Sequence, residues 1–174
     1  MKVILKNILL VIVGTILTAS LYLQWVADPL PTNRYIDKII VEKSRRLMHI
    51  YSQDDLLKTY HISLGFNPIR DKKFEGDGRT PEGIYEINSK NPESVCFLNL
   101  GISYPNENDI AGALKLGKNP GGDIKIHGIK NGYGIIGKLH LLKDWTNGCI
   151  AVTNNEIREL YLNVPIGCII EIRK

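Results

Sequence analysis

The sequence predicts a mainly β domain with short helices, an α+β fold, behind one N-terminal apolar helix. Three observations predict it. Runs with a two-residue apolar alternation recur from Asp37 to the C-terminus. Only two short segments carry helix signals in the same region. The stretch from Asn7 to Ala27 holds no charged residue.

The apolar stretch comes first. As a helix it is roughly 31 Å long, enough to cross a bilayer core. Met1, Lys2 and Lys6 precede it and Asp28 follows it. That charge order keeps the N-terminus cytoplasmic and exports the rest. Two readings stay open. Thr18-Ala19-Ser20 offers a small-residue cleavage site, which makes the segment a removable signal peptide. Leu21-Tyr22-Leu23 instead continues the apolar run and Trp25 suits an interfacial anchor, which makes it an uncleaved signal anchor. Either way the domain lies outside the cytoplasm. Asp28 to Asn33 is a Pro-containing tether, so the chain divides into 1–27, a linker 28–35 and a domain 36–174.

Asp37 to Glu42, Arg46 to Tyr51 and Leu56 to Leu64 are separated by polar turns and read as an antiparallel meander. Gly83 to Ile87, Val95 to Leu100, Asp123 to His127 and Cys168 to Ile172 add further strands. A short helix is expected over Asp109 to Leu116, stopping at Gly117. A second follows the capping box Thr153-Asn154-Asn155-Glu156 and stops before Pro165. Fourteen of the sixteen glycines fall between Gly65 and Gly148, so this section is rich in turns, either around a cleft or simply between strands.

The 174 residues carry a formal net charge of +4. The basic residues are dispersed, which argues against a nucleic-acid partner. Cys96, Cys149 and Cys168 make an odd number, so one thiol at least is unpaired within the chain, and a Cys96–Cys168 disulfide stays open. No Cys-x-x-Cys exists to support thioredoxin-like chemistry. His127, His140 and Cys149 lack the tight spacing of zinc ligands, so neither a metal nor a cofactor is expected.

The chemistry-bearing residues are Cys149 and His127. Gly148 removes bulk beside the sulfur, and the N–H groups around Asn147, Gly148 and Cys149 are expected to form an oxyanion hole. A neighbouring base or cation should lower the pKa of the Cys149 thiol. His127 ends an apolar strand beside Gly128 and is placed for general base work. His140 and Trp145 are candidates for the pocket wall or for the core. Asp144 and Asp77 position a substrate amine or cap turns.

The order of these segments resembles the L,D-transpeptidase family with the YkuD-type catalytic domain. Its signature is His-Gly followed by Ser/Thr-x-Gly-Cys-hydrophobic-Arg, matched here by His127-Gly128 and Thr146-Asn147-Gly148-Cys149-Ile150. Thr80-Pro81-Glu82-Gly83-Ile84-Tyr85 is similar to the family's Thr-Pro-x-Gly-x-aromatic segment. The likeness runs from Ile36 to Arg173. Asp144 to Val152 and Gly76 to Gly83 are most similar to a YafK-like subgroup.

The resemblance implies a β-sandwich catalytic domain in the periplasm, membrane-anchored or secreted. It implies Cys149 as nucleophile, His127 as proton donor and acceptor, and Gly148, Asn147 and Thr146 as the oxyanion loop. The substrates would be peptidoglycan stem peptides containing diaminopimelate, acylated onto Cys149 and passed to an amine. The alternative is water as acceptor, in a carboxypeptidase, endopeptidase or amidase that trims stems or releases a wall-linked lipoprotein. A third reading is a wall-binding module with an inert thiol. One departure stands out: Ala151 occupies the place of the family's arginine. Arg79, Lys125 or Arg70 would then supply a cation, and His140, Arg79, Trp145 and Gly128 are candidates for substrate contact.

Overall fold

The computed structural model describes residues 2–25 and 28–174, so Met1, Val26 and Ala27 of the apolar segment lie outside the described residues. Helix α1 spans Lys2–Gln24. Its 21-residue window Ile4–Gln24 is long and apolar enough to cross a membrane, and none of it is buried in the protein. An unpartnered apolar surface of that length is costly in water, which is the physical reason to read it as a membrane or signal segment.

The meander forms as expected. β1 (Lys38–Glu42), β2 (Leu47–Ser52) and β3 (Asp55–His61) are antiparallel neighbours. Arg46 adopts φ 55° in the turn between β1 and β2. β4 (Gly83–Ser94) is longer than its apolar core suggests, because its polar second half pairs with β5 (Phe97–Ile102). Its first four residues pair with β8 (Ile169–Arg173). β6 (Lys125–His127) and β7 (Ile150–Ala151) complete one mixed eight-stranded sheet in the order β3-β2-β1-β8-β4-β5-β6-β7. Side chains from both ends of this order, such as Met48 and Ile50 with Ile126 and Ile150, belong to one buried cluster. β4, shared by two sets of partners, is the element that joins them.

α2 spans Glu107–Lys115 and begins two residues earlier than the expected Asp109. Asn106 caps it by accepting the N–H groups of Asn108 and Asp109, while the Asp109 carboxylate accepts the N–H of Asn106. Asp109 is therefore the third helical residue. α3 spans Asn154–Asn163, and the Thr153–Glu156 box closes its N-terminus as expected. Between β6 and β7 the chain forms a 3₁₀ segment, Gly134–Leu142, broken at Gly137 (φ 47°, ψ −131°). Cys96, Cys149 and Cys168 are all free thiols.

Candidate active site

The site begins with the pairing of β6 and β7. They run parallel, with Ile126 opposite Ile150 and His127 opposite Ala151. Strand side chains alternate, so Ile126 and Ile150 point together into the core, where both are fully buried. His127 and Ala151 then share the other face. Continuing the alternation backwards puts Cys149 and Lys125 on that same face. Residues 22 apart in sequence thus meet as diagonal neighbours on adjacent strands. Cys149, His127, Lys125, Trp145, Thr146 and Asn147 line one open cavity of about 390 Å³, whose far wall is Ser94 to Cys96.

The turn carrying Cys149 is held at both ends by one segment. Before it, the Thr146 N–H donates to Leu64 (3.1 Å) and the Phe66 N–H donates to Thr146 (2.9 Å). After it, Ala151 and Ser63 exchange hydrogen bonds of 2.8 and 2.9 Å. Asp144 fixes the approach, accepting from the Leu64 N–H and from the Arg46 guanidinium. It therefore anchors a loop. Gly148 has φ 131°, and a Cβ there would lie 2.7 Å from the carbonyl oxygen of Arg79. Only glycine fits where the turn backs onto the segment Gly76 to Gly83. Lys43, itself 2% exposed, ties that segment down by donating to the carbonyls of Arg70 and Thr80 and to the Glu82 carboxylate. Asp77 caps it: burial opposes its charge, but N–H donors from Lys73, Arg79 and Phe74 and the Lys72 ammonium hold the carboxyl below the usual range.

His127 is oriented by its neighbour. Its Nδ1–H donates to the Gly128 carbonyl at 2.7 Å, which leaves Nε2 as the basic nitrogen. The Trp145 indole packs edge-on against the ring, with centroids 5.6 Å apart. Burial lowers the His127 pKa, and the Lys125 charge adds to it against the Gly128 hydrogen bond, so the imidazole is neutral at pH 7. The Cys149 thiol lies in reach of the Asp123 carbonyl at 3.6 Å. The expected low thiol pKa is not found. Burial pushes it up to about 11, outweighing the Lys125 N–H and ammonium. The resting pair is neutral thiol and neutral imidazole rather than an ion pair.

The oxyanion loop also differs from expectation. The Gly148 N–H is taken by the Thr146 hydroxyl at 3.1 Å, and that hydroxyl donates to the Cys149 carbonyl at 2.7 Å. Thr146 thus shapes the turn. Among the described residues no acceptor engages the Cys149 N–H, which is left as the free donor beside the sulfur.

The YkuD-type L,D-transpeptidase catalytic domain matches residues 36–172. The chain belongs to this family. Among solved structures it is similar to the helical cell shape determining protein Pgp2 from Campylobacter jejuni, at 23% identity and TM-score 0.60 over 89% of this chain and 54% of that one. An L,D-transpeptidase from Mycobacterium smegmatis matches at 13% identity and TM-score 0.53, over 80% and 59%. LdtMt1, an LD transpeptidase solved in complex with imipenem, matches at 14% and 0.51, over 79% and 59%. The chain spans about half the length of Pgp2. No curated protein matches it significantly.

The departure from the family's arginine lies at a covered position. Ala151 is fully buried, and its backbone bridges to Ser63. Of the three candidate cations, Lys125 lines the cavity, 2.6 Å from the Asp123 carboxylate. Arg79 turns away and donates to the Asp71 carbonyl, and Arg70 contributes its carbonyl to Lys43. His140 lies behind Trp145, which donates to its Nδ1 at 3.5 Å. It is buried, and its pKa falls to about 4 through desolvation and the nearby His127. The Asp123 carbonyl and the Ser94–Cys96 wall carry no signal in the sequence: the first comes from the loop before β6 and the second from the end of β4 and its turn into β5, and both are placed by strand pairing.

Proposed function

We propose that the protein is a peptidoglycan L,D-transpeptidase working through a Cys149 thioester. The observation that supports this most is the shared face of His127 and Cys149 in one cavity, with Nδ1 of the histidine held by Gly128. Sγ attacks the carbonyl at the L-centre of diaminopimelate in a donor stem, and its proton passes to Nε2 of His127. The Cys149 N–H receives the tetrahedral oxyanion. Collapse breaks the amide, the departing D-alanine amine takes the proton from His127, and a thioester remains. An acceptor amine then attacks this thioester, gives its extra proton to His127, and Sγ leaves as the restored thiol. Because the resting thiol is not ionised, deprotonation accompanies attack, and the neutral imidazole is in the form that this requires. Lys125 is the cation placed to meet a stem carboxylate.

The test is mass spectrometry of purified sacculi incubated with the wild-type protein or with Cys149→Ala. New diaminopimelate–diaminopimelate crosslinks made only by the wild type are the expected result. Shortened or released peptides without crosslinks would assign water as the acceptor. Identical products from both proteins would remove the cysteine from the mechanism. Imipenem should acylate Cys149 and no other residue.

A further inference from the structure

We propose that the 3₁₀ segment Gly134–Leu142, with flanking Tyr133 and Lys143, rests on the membrane surface and engages anionic phospholipid. The inference builds on reading α1 as an uncleaved membrane anchor. Ile135 and Leu142 are 77% and 84% exposed, and Tyr133 and Leu139 are exposed beside them. Large apolar side chains gathered on one short segment need a covering. Their position says what covers them. The segment is joined to the last turn of α1, where Gln24 Nε2 donates to the carbonyls of Gly134 and Ile135, and Asn155 of α3 holds the same residue by donating to the Gln24 carbonyl. The Lys138 ammonium lies 5.0 Å from the centre of the Tyr22 ring. If α1 crosses the bilayer, this junction sits where the chain leaves it, at the level of the exposed Trp25.

The charge fits the same occupant. Residues 130–143 contain three lysines (Lys130, Lys138, Lys143) and no Asp or Glu. Apolar side chains entering the interface among lysines is the pattern of a segment lying in the plane of an anionic membrane. Tyr133, Ile136 and Leu139 also line an apolar cavity of about 390 Å³ that reaches Trp145. The same indole lines the Cys149 cavity. The membrane-facing side is thus one side chain away from the reacting pair, and docking fixes the orientation of the cleft to the bilayer.

Full-length protein in nanodiscs carrying a photoactivatable phospholipid tests this, with adducts mapped by mass spectrometry. Adducts are expected on both α1 and Tyr133 to Lys143. Adding phosphatidylglycerol should raise those on the 3₁₀ segment, by about fivefold for each lysine engaged. The double variant Ile135→Glu/Leu142→Glu, at exposed positions that leave the core intact, should lose the segment adducts and keep those on α1. Adducts confined to α1 in the wild type, or unchanged in the double variant, would overturn the inference while leaving the anchor. Absence of adducts from α1 as well would overturn the anchor reading and this inference with it.

Discussion

Thr146 offers the sharpest perturbation of the candidate site. Its buried hydroxyl accepts from the Gly148 N–H and donates to the Cys149 carbonyl, bracing the turn that carries Cys149 from within. Thr146→Val keeps the shape and removes both bonds. Each is worth about 1 kcal/mol net, and leaving a buried N–H without a partner costs about 1–3 kcal/mol more. The expected loss is therefore about 3–5 kcal/mol, concentrated in the turn that carries the sulfur. Thr146→Ser restores the hydroxyl and should recover most of it. Two measurements check this: denaturant unfolding of the full chain in detergent, and the rate of Cys149 acylation by imipenem. The Val variant should be less stable and acylate more slowly, with the Ser variant close to wild type. If Val and wild type share both their unfolding midpoint and their acylation rate, the bracing role of Thr146 is wrong.

Three further outcomes are expected. His140 is buried neutral with a pKa near 4 against an ordinary value of 6.5, so the unfolded chain takes up this proton first and stability falls as pH drops through that window. The stability difference between wild type and His140→Phe should shift against the wild type by about 3 kcal/mol from pH 7 to pH 4, and a constant difference would contradict it. With the Cys149 pKa near 11, its alkylation by iodoacetamide should rise about tenfold per pH unit from 7 to 10, whereas a plateau near pH 8 would mean a pre-formed thiolate. Lys43→Met strands two carbonyls and the Glu82 carboxylate, and should cost about 3–5 kcal/mol in unfolding experiments, part of it regained by adding Glu82→Gln.

Much of this architecture was legible in the chain because its signals are local. The Thr153–Glu156 box, the β1 to β3 meander and the 21-residue apolar helix each depend on neighbours in sequence. α2 starts before the expected Asp109 because Asn106 caps it, which makes Asp109 the third residue of a capping box. The role of Gly148 followed the same rule. Its freedom of φ was readable, whereas the capture of its N–H by Thr146 was not. Nothing in a two-residue strand such as Ile150–Ala151 announces a parallel partner, so its register against β6 was not readable. The raised thiol pKa was unreadable for a related reason: burial is a property of the assembled cavity.

The pairing of His127 with Ala151 bears on how such a site changes over time. Cys149 and His127 are registered by one short ladder, and the chain from Gly128 to Asp144 is a crossover that the ladder does not constrain in length. Closing a loop twice as long costs only about 0.6 kcal/mol. Insertions and deletions between Gly128 and Asp144 can therefore accumulate with little penalty to the relative placement of His127 and Cys149. The surface presented beside the thiol is therefore free to diversify on a different clock from the placement of the thiol and imidazole beneath it.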